Sequence, residues 1–330
     1  MENVADPVDG ALLNDWQRDF PVVSAPFTVL AARLEISETE VLKRLARMRS
    51  AGRITRVGAT CAPNTVSAST LAALQAEPEE LEEVAEIVGE EPGVNHSYLR
   101  EDAWNIWFVA TGPDREHVDR TLARISDRTN RRVLDLRLVR PFNVDLGFRM
   151  NGKAGAVPAP RIADASAIRD GDRDILQCLT RGLPLEARPW AAMAQYLERS
   201  EEDVLLRVAA LQDAGVIARL GVIVRHRALG WTSNAMCVWD VSHEVAGEVG
   251  PVLARVPGVT LCYERRLVEG AWPYRLYNMI HARSRLEAMA TLDQVRALTG
   301  LENADHKVLF STRCFKQTGA LIKLNKGKAA

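Results

Sequence analysis

Three consecutive residues, Arg225, His226 and Arg227, set an imidazole between two guanidiniums. A guanidinium docks carboxylate or phosphate because its fork offers paired N–H donors under a fixed charge. An imidazole can give or take a proton near neutral pH. Together they suit an anionic ligand that is held by charge and protonated in place. A solvated basic turn uses the same residue types, so the rest of the chain decides.

The chain has 330 residues, enough for two domains or more, and its 47% hydrophobic content is that of a globular protein. A net charge of −1 argues against a nucleic-acid coat or a membrane-surface protein. Residues 1–160 carry more acid than base and residues 161–330 the reverse, so an anionic ligand favours the second half. The cysteines (Cys61, Cys178, Cys237, Cys262 and Cys314) are scattered. They form no Cys/His group with metal-ligand spacing and no disulfide framework. Reduced thiols and the lack of a signal peptide or spanning apolar run fit a cytoplasmic protein without a membrane partner.

The sequence is duplicated. Residues 18–58 overlie residues 181–221 without a gap, matching Pro21 with Pro184, Leu34 with Leu197, Ser37 with Ser200, Arg44 with Arg207, Gly52 with Gly215, Arg56 with Arg219 and Gly58 with Gly221. PGVNHSYLR (92–100) likewise overlies PGVTLCYER (257–265). Between the copies, residues 151–171 are rich in Gly, Pro and Ala and read as a linker.

Each copy begins with a helix-turn-helix. Ser37 is an N-cap with Glu40 three residues on, and Val41, Leu45 and Met48 recur at helical spacing up to Gly52. Residues 52–58 read as the start of a wing. A second domain follows, with strands over 231–241, 259–266, 274–281 and 307–315 and helices over 244–255 and 284–298; residues 79–89 and 114–128 are the matching helices of the first copy. This βαββαβ order is ferredoxin-like. The expected α+β architecture is therefore two tandem units. Winged helices over 1–60 and 172–222 precede ferredoxin-like domains over 61–150 and 223–330, paired as an intramolecular pseudo-dimer with a cavity between the halves.

A winged helix followed by such a domain resembles the Lrp/AsnC architecture. A finer resemblance is to the siroheme decarboxylases of the NirD/NirL (AhbA/AhbB) type. RLGVIVRHRALGWTSNAMCVW (219–239) and WPYRLYNMIH (272–281) look like the L-type subunit. LLNDWQRDFP (12–21), RVGATCAPN (56–64), VNHSYLR (94–100) and VDLGF (144–148) look like the D-type, which makes the chain a D–L fusion. The resemblance implies a carboxy-lyase that removes the carboxyl groups of the C12 and C18 acetates of siroheme. The product would be 12,18-didecarboxysiroheme, on the route to haem d1 or to haem. It leaves room for a G/H-type paralogous subunit and for a homo-oligomer, and it implies no nucleic-acid partner.

Siroheme carries eight carboxylates around a flat macrocycle, so its site needs guanidiniums at the rim and aromatic faces for the ring. Candidates are Arg225, Arg227, Arg265, Arg266 and Arg275, with Trp231, Tyr263 and Tyr277. Replacing a carboxylate by hydrogen needs an electron sink, which the protonated macrocycle supplies, and a proton source. No separate cofactor and no protein-bound metal is required. His226 and His281 are the candidate general acid and proton relay, a role that contributes about 10²–10⁴-fold. Arg275, Tyr277, Met279 and His281 alternate along one strand and would share a face. The first copy has Ala62, Pro63 and Asn64 in place of the Arg-His-Arg triplet and Thr111 in place of His281. The second half is thus expected to hold the main site, with His96, Tyr98 and Arg100 reaching it from across the interface.

A DNA-binding regulator that senses a small effector is the alternative, and a non-catalytic tetrapyrrole scaffold a third. The first recognition-like helix is basic, with Lys43, Arg44, Arg47 and Arg49, but the second surrounds Arg207 with Glu201, Glu202, Asp203 and Asp213. Two helices that must both neutralise phosphates should not differ in this way.

Overall fold

The computed structural model describes residues 6–144 and 162–324. Most of the expected linker, the end of the first ferredoxin-like domain and residues 145–148 of the D-type motif lie outside the described residues. The first unit runs α1 (Pro7–Asn14), α2 (Pro26–Leu34), α3 (Glu38–Ser50), β1 (Ile54–Cys61), β2 (Ala68–Leu74), α4 (Leu81–Glu90), β3 (Val94–Arg100), β4 (Ile106–Gly112), α5 (Arg115–Thr129), β5 (Leu134–Leu136) and β6 (Leu138–Asn143). The second runs α6 (Asp172–Arg181), α7 (Pro189–Tyr196), α8 (Glu201–Asp213), β7 (Ile217–Val224), β8 (Ser233–Trp239), α9 (His243–Leu253), β9 (Val259–Arg265), β10 (Leu276–Ala282), α10 (Arg285–Thr299) and β11 (His306–Gln317). Every element expected from the periodicity is present, shifted by a few residues. The caps act as expected: Ser37 Oγ accepts from Glu40 N and Ser200 Oγ from Asp203 N.

The wings are different. β1 pairs antiparallel with β7 of the other unit, from Ile54 opposite Val224 to Cys61 opposite Ile217. β7 is buried at seven of its eight residues, which a solvent-exposed wing could not be. The outer edges of the ribbon are also used. Leu183 N donates to Val57 O at 2.7 Å and Val222 N to Trp16 O at 2.6 Å, so each strand is bonded to the chain of the opposite helix-turn-helix. Gly58 and Gly221 face each other at its centre. A Cβ on either would lie 2.3 Å from a backbone oxygen, Leu179 O or Trp16 O respectively. Both helix-turn-helix units consequently share one core, in which Leu12, Trp16, Phe27 and Leu45 join Leu179, Trp190, Val208 and Leu211.

The two ferredoxin-like sheets face each other. Helices α4 and α5 cover the outside of the first, and α9 and α10 the outside of the second. The inner faces meet in a cluster that includes Trp107, Leu134, Leu136, Met236, Tyr263, Trp272, Tyr277 and Leu309. Both edges are stitched across. β11 pairs with β8 over His306–Phe310 and with β3 over Ser311–Gln317. β5 pairs with β2, and β6, which follows at once, pairs with β9.

Gly221→Ala is expected to lower stability in denaturant unfolding by about 1–3 kcal/mol, the usual cost of overpacking a close backbone approach. Gly89→Ala in α4, where a Cβ meets nothing within 4 Å, should be neutral or stabilising.

Candidate active site between the two sheets

A cavity of about 370 Å³ opens between the inner faces. Its walls include Arg56, His96, Tyr98, Arg100 and Trp107 from the first unit and Asn234, Met236, Tyr263, Met279 and His281 from the second. Among the described residues its lining contains no aspartate or glutamate. The alternation of β10 places Tyr277, Met279 and His281 on the inner face, while Leu276 and Ile280 enter the outer, helix-covered core.

His281 is 8% exposed. Its Nδ1 lies 2.7 Å from Thr260 Oγ1 and its Nε2 2.6 Å from Asn234 Nδ2. Burial, aided by the charge of Arg100, lowers its pKa to about 4. His226 begins a 3-10 turn after β7, and its ring centroid is 5.5 Å from that of His281. Burial, then His281 and Arg219, holds it well below the usual histidine range. His96 stacks on Tyr98 at 6.4 Å and is lowered to about 4 by burial and by Arg56. All three imidazoles are therefore neutral at pH 7.

The guanidiniums divide into two groups. Arg100 is buried, donates from Nη1 to Leu309 O at 2.9 Å and lies over the Tyr98 ring at 5.6 Å. Burial lowers its pKa to about 10, which leaves it charged. Arg225 and Arg227 are exposed beside His226 and do not line the cavity. Arg227 Nη2 donates to Ser311 O at 2.7 Å, and both charges act on Tyr98, so the pair stands near the cavity wall.

Of the other sequence-predicted residues, Tyr263 lines the cavity, with Arg265 over its ring at 4.5 Å and bonded to Leu136 O at 2.7 Å. Tyr277 lies beneath it, stacked on Tyr263 at 5.6 Å with its hydroxyl accepting from Trp272 Nε1. Trp231 is half-buried against Arg283. Arg266 is exposed and away from the cavity. Arg275 departs from the expected shared face: it precedes β10, and its Nη1 lies 3.4 Å from Glu264 Oε1. Glu264 is fully buried and also holds Arg140 at 3.0 Å and His243 at 2.6 Å.

Sequence reasoning missed Arg56, Asn234 and Thr260. Arg56 recurs as Arg219 in an otherwise apolar strand of each unit, and that was its only signal. Burial and the neighbouring Arg219 lower the Arg56 pKa to about 10. The site is asymmetric. Thr111, in the place of His281, donates to Gly93 O at 3.0 Å and accepts from Leu321 N at 2.9 Å. The C-terminal segment, through Thr318, Ala320 and Ile322, walls that side of the cavity. No group of residues suited to hold a metal ion occurs among the described residues, and no helix there is long and apolar enough to cross a membrane.

Two units of helix-turn-helix and ligand-domain type, with one arginine- and histidine-lined cavity between them, define the class. A model described as "Siroheme decarboxylase NirDL-like HTH domain" matches residues 9–54 and 172–217, and one described as "AsnC-like ligand binding domain" matches 66–142 and 228–316. The chain is 51% identical over 317 residues to the siroheme decarboxylase NirDL subunit of Paracoccus denitrificans, covering 96% of this chain and 98% of that one. It is 30% identical over 311 residues to a siroheme decarboxylase of Hydrogenobacter thermophilus, covering 93% and 92%. A crystal structure of the siroheme decarboxylase NirDL in co-complex with an iron-uroporphyrin III analogue superposes with a TM-score of 0.66 at 27% identity, covering 96% of this chain and 94% of that one. The chain belongs to the siroheme decarboxylase family in its fused, NirDL form.

The neutral buried imidazoles have a consequence for stability. A histidine that is lowered to about 4 in the folded state, against an unfolded value near 6.5, stabilises fully above pH 6.5. That stability is lost as pH falls from 6.5 towards 4, because only the unfolded chain takes up the proton there. The melting temperature should fall across this window, and His96→Gln should flatten the fall.

Proposed function

We propose that this chain decarboxylates siroheme, removing the carboxyl groups of the C12 and C18 acetates to give 12,18-didecarboxysiroheme. The observation that carries the reading is a cavity lined by Arg56, Arg100, His96 and His281 with no carboxylate of its own among the described residues. Such a cavity is unbalanced when empty and is completed by a polyanion. Tyr98, Tyr263 and Trp107 supply flat apolar surface for a macrocycle. The iron belongs to the substrate, and no cofactor is required.

In this reading the guanidiniums of Arg100 and Arg56 hold acetate or propionate groups, and Arg225 and Arg227 hold others at the outer wall. His281 delivers a proton to the macrocycle, which then accepts the electron pair left as carbon dioxide departs. The net change is loss of carbon dioxide and gain of one proton, so an acetate becomes a methyl group. The carbon that has lost carbon dioxide then takes a proton relayed by His226, half-buried beside His281, and the macrocycle returns its own proton to His281, so one proton is gained in all. Burial keeps both rings neutral; incoming carboxylates favour the imidazolium and so load the proton where it is used. One cavity serves both decarboxylations, with His96 and Arg100 contributed by the first unit.

The regulator reading is disfavoured by the helix-turn-helix surface. Arg44 is held by Asp6, Asp9 and Glu40 at 2.6–2.8 Å and Arg47 by Asp9 at 2.7 Å. Arg207 is paired in two places with the buried Asp172, at 3.0 and 2.7 Å. These cations are already neutralised within the protein.

Anaerobic incubation with siroheme, followed by mass spectrometry of the tetrapyrrole, is expected to show sequential loss of two carbon dioxide units. Bound but unchanged siroheme would favour a scaffold. His226→Ala should slow turnover by about 10²–10⁴-fold while siroheme still binds; a wild-type rate would remove His226 from the mechanism. Arg100→Ala should raise the siroheme dissociation constant by about tenfold or more, the scale of one lost buried charge-assisted hydrogen bond.

A further inference from the structure

The groups around His281 fix where its proton sits. Thr260 Oγ1 has one hydrogen, which it gives to Met279 O at 3.2 Å. With its hydrogen so placed, the same oxygen, 2.7 Å from His281 Nδ1, accepts there, and Nδ1 carries the proton. Asn234 Nδ2, 2.6 Å from Nε2, donates to a nitrogen that is then unprotonated. These two contacts suit a neutral ring with one defined tautomer. They are incompatible with an imidazolium, because a protonated Nε2 would meet an N–H donor.

One atom is left over. Asn234 Oδ1 is buried with no hydrogen-bond partner, on a side chain that also lines the cavity. Turning the amide over about its Cβ–Cγ bond would put that oxygen against Nε2, where it accepts from an imidazolium. The Nδ2 donor would move to the place now held by the oxygen. As it stands the amide admits only a neutral ring with its proton on Nδ1; turned over, it accepts from a protonated Nε2 and so admits the imidazolium. The first unit lacks the device, having Ser69 opposite Thr111 where the second has Asn234 opposite His281, and Asn95 in the place of Thr260.

We propose that Asn234 is a positioning residue that switches His281 between its neutral and protonated forms, and that a carboxylate of the bound substrate throws the switch by drawing the amide N–H to itself. Apart from hydrogen bonds, the one bond formed on His281 is Nε2–H, its proton passed on by His226, which is recharged from solvent. The charged and titratable groups that face the ring are Arg100 of β3 and His226, with Tyr98 and Tyr263 further along the wall. The adjoining strands β8 and β9 present Asn234 and Thr260, and α9 and α10 pack on the opposite face of the sheet. Among the described residues no acid on the wall could hold the imidazolium in place of Asn234.

The carboxylate trigger rests on the proposed substrate; the tautomer and the role of Asn234 do not. The test is NMR of the full chain with ¹⁵N-labelled histidine, with His281→Gln used to assign the signal. In the substrate-free protein His281 should be neutral with its proton on Nδ1. Asn234→Asp should raise its titration midpoint by about one to three pH units, the effect of a carboxylate at contact distance. A proton on Nε2, or a midpoint unmoved by Asn234→Asp, would overturn the proposal. Metal-free uroporphyrin III, an octacarboxylate, should raise the midpoint further in the wild type than in Asn234→Leu. An equal rise in both would overturn the switch, since charge alone would then load the proton. Failure of uroporphyrin to bind, read from its own absorbance, would count against the proposed substrate instead.

Discussion

The inner faces of the two ferredoxin-like sheets have only each other to bury against, and the rest of the structure follows from that constraint. Each sheet is already covered on its outer face by two helices. The inner faces carry Trp107, Trp272, Tyr263, Tyr277, Met236 and Met279, too much apolar surface to leave in water. Facing the sheets in one chain makes their association intramolecular and independent of concentration. β11 then runs from its own sheet into the other, and β5 and β6 do the same at the opposite edge. The space enclosed is consequently a feature of the pair, and neither unit alone could form it.

Enclosure also sets the chemistry. On the walls of that space His96 and His281 are lowered to about 4 and Arg56 and Arg100 to about 10, in each case chiefly by burial. The arginines stay charged and the histidines do not. A polycarboxylate ligand reverses the second half of that statement, because its charges offset the desolvation that kept the imidazoles neutral. In the proposed mechanism proton loading and substrate binding thereby become one event. In that reading the buried proton donor is uncharged at rest, and Asn234 and Thr260 hold His281 in its resting form.

Much of this was legible in the sequence. The duplication, the order of helices and strands and the inward face of Tyr277, Met279 and His281 follow from self-alignment and from a period of two. The closeness of His226 to His281 does not follow from either, since it depends on how the turn after β7 folds back onto β10. The wings were misread because residues 52–58 carry the glycine and basic residues of a wing, and only the burial of β7 shows that the strand has a partner in the other unit. The position of Arg275 was misread because alternation holds only inside a strand. One residue before β10 the chain is free to turn its guanidinium to the buried Glu264. Asn234 and Thr260 had no signal in one sequence, being polar residues of ordinary type on apolar strands.

The central claim is that the duplication has produced one shared site between unlike halves. Titrating the intact chain with siroheme without oxygen, following its absorbance to saturation, reads this directly. The account predicts one tetrapyrrole bound per chain, with the stoichiometry unchanged and the affinity weakened when Arg100 of the first unit is replaced. Two tetrapyrroles per chain, or one whose affinity ignores Arg100, would contradict it.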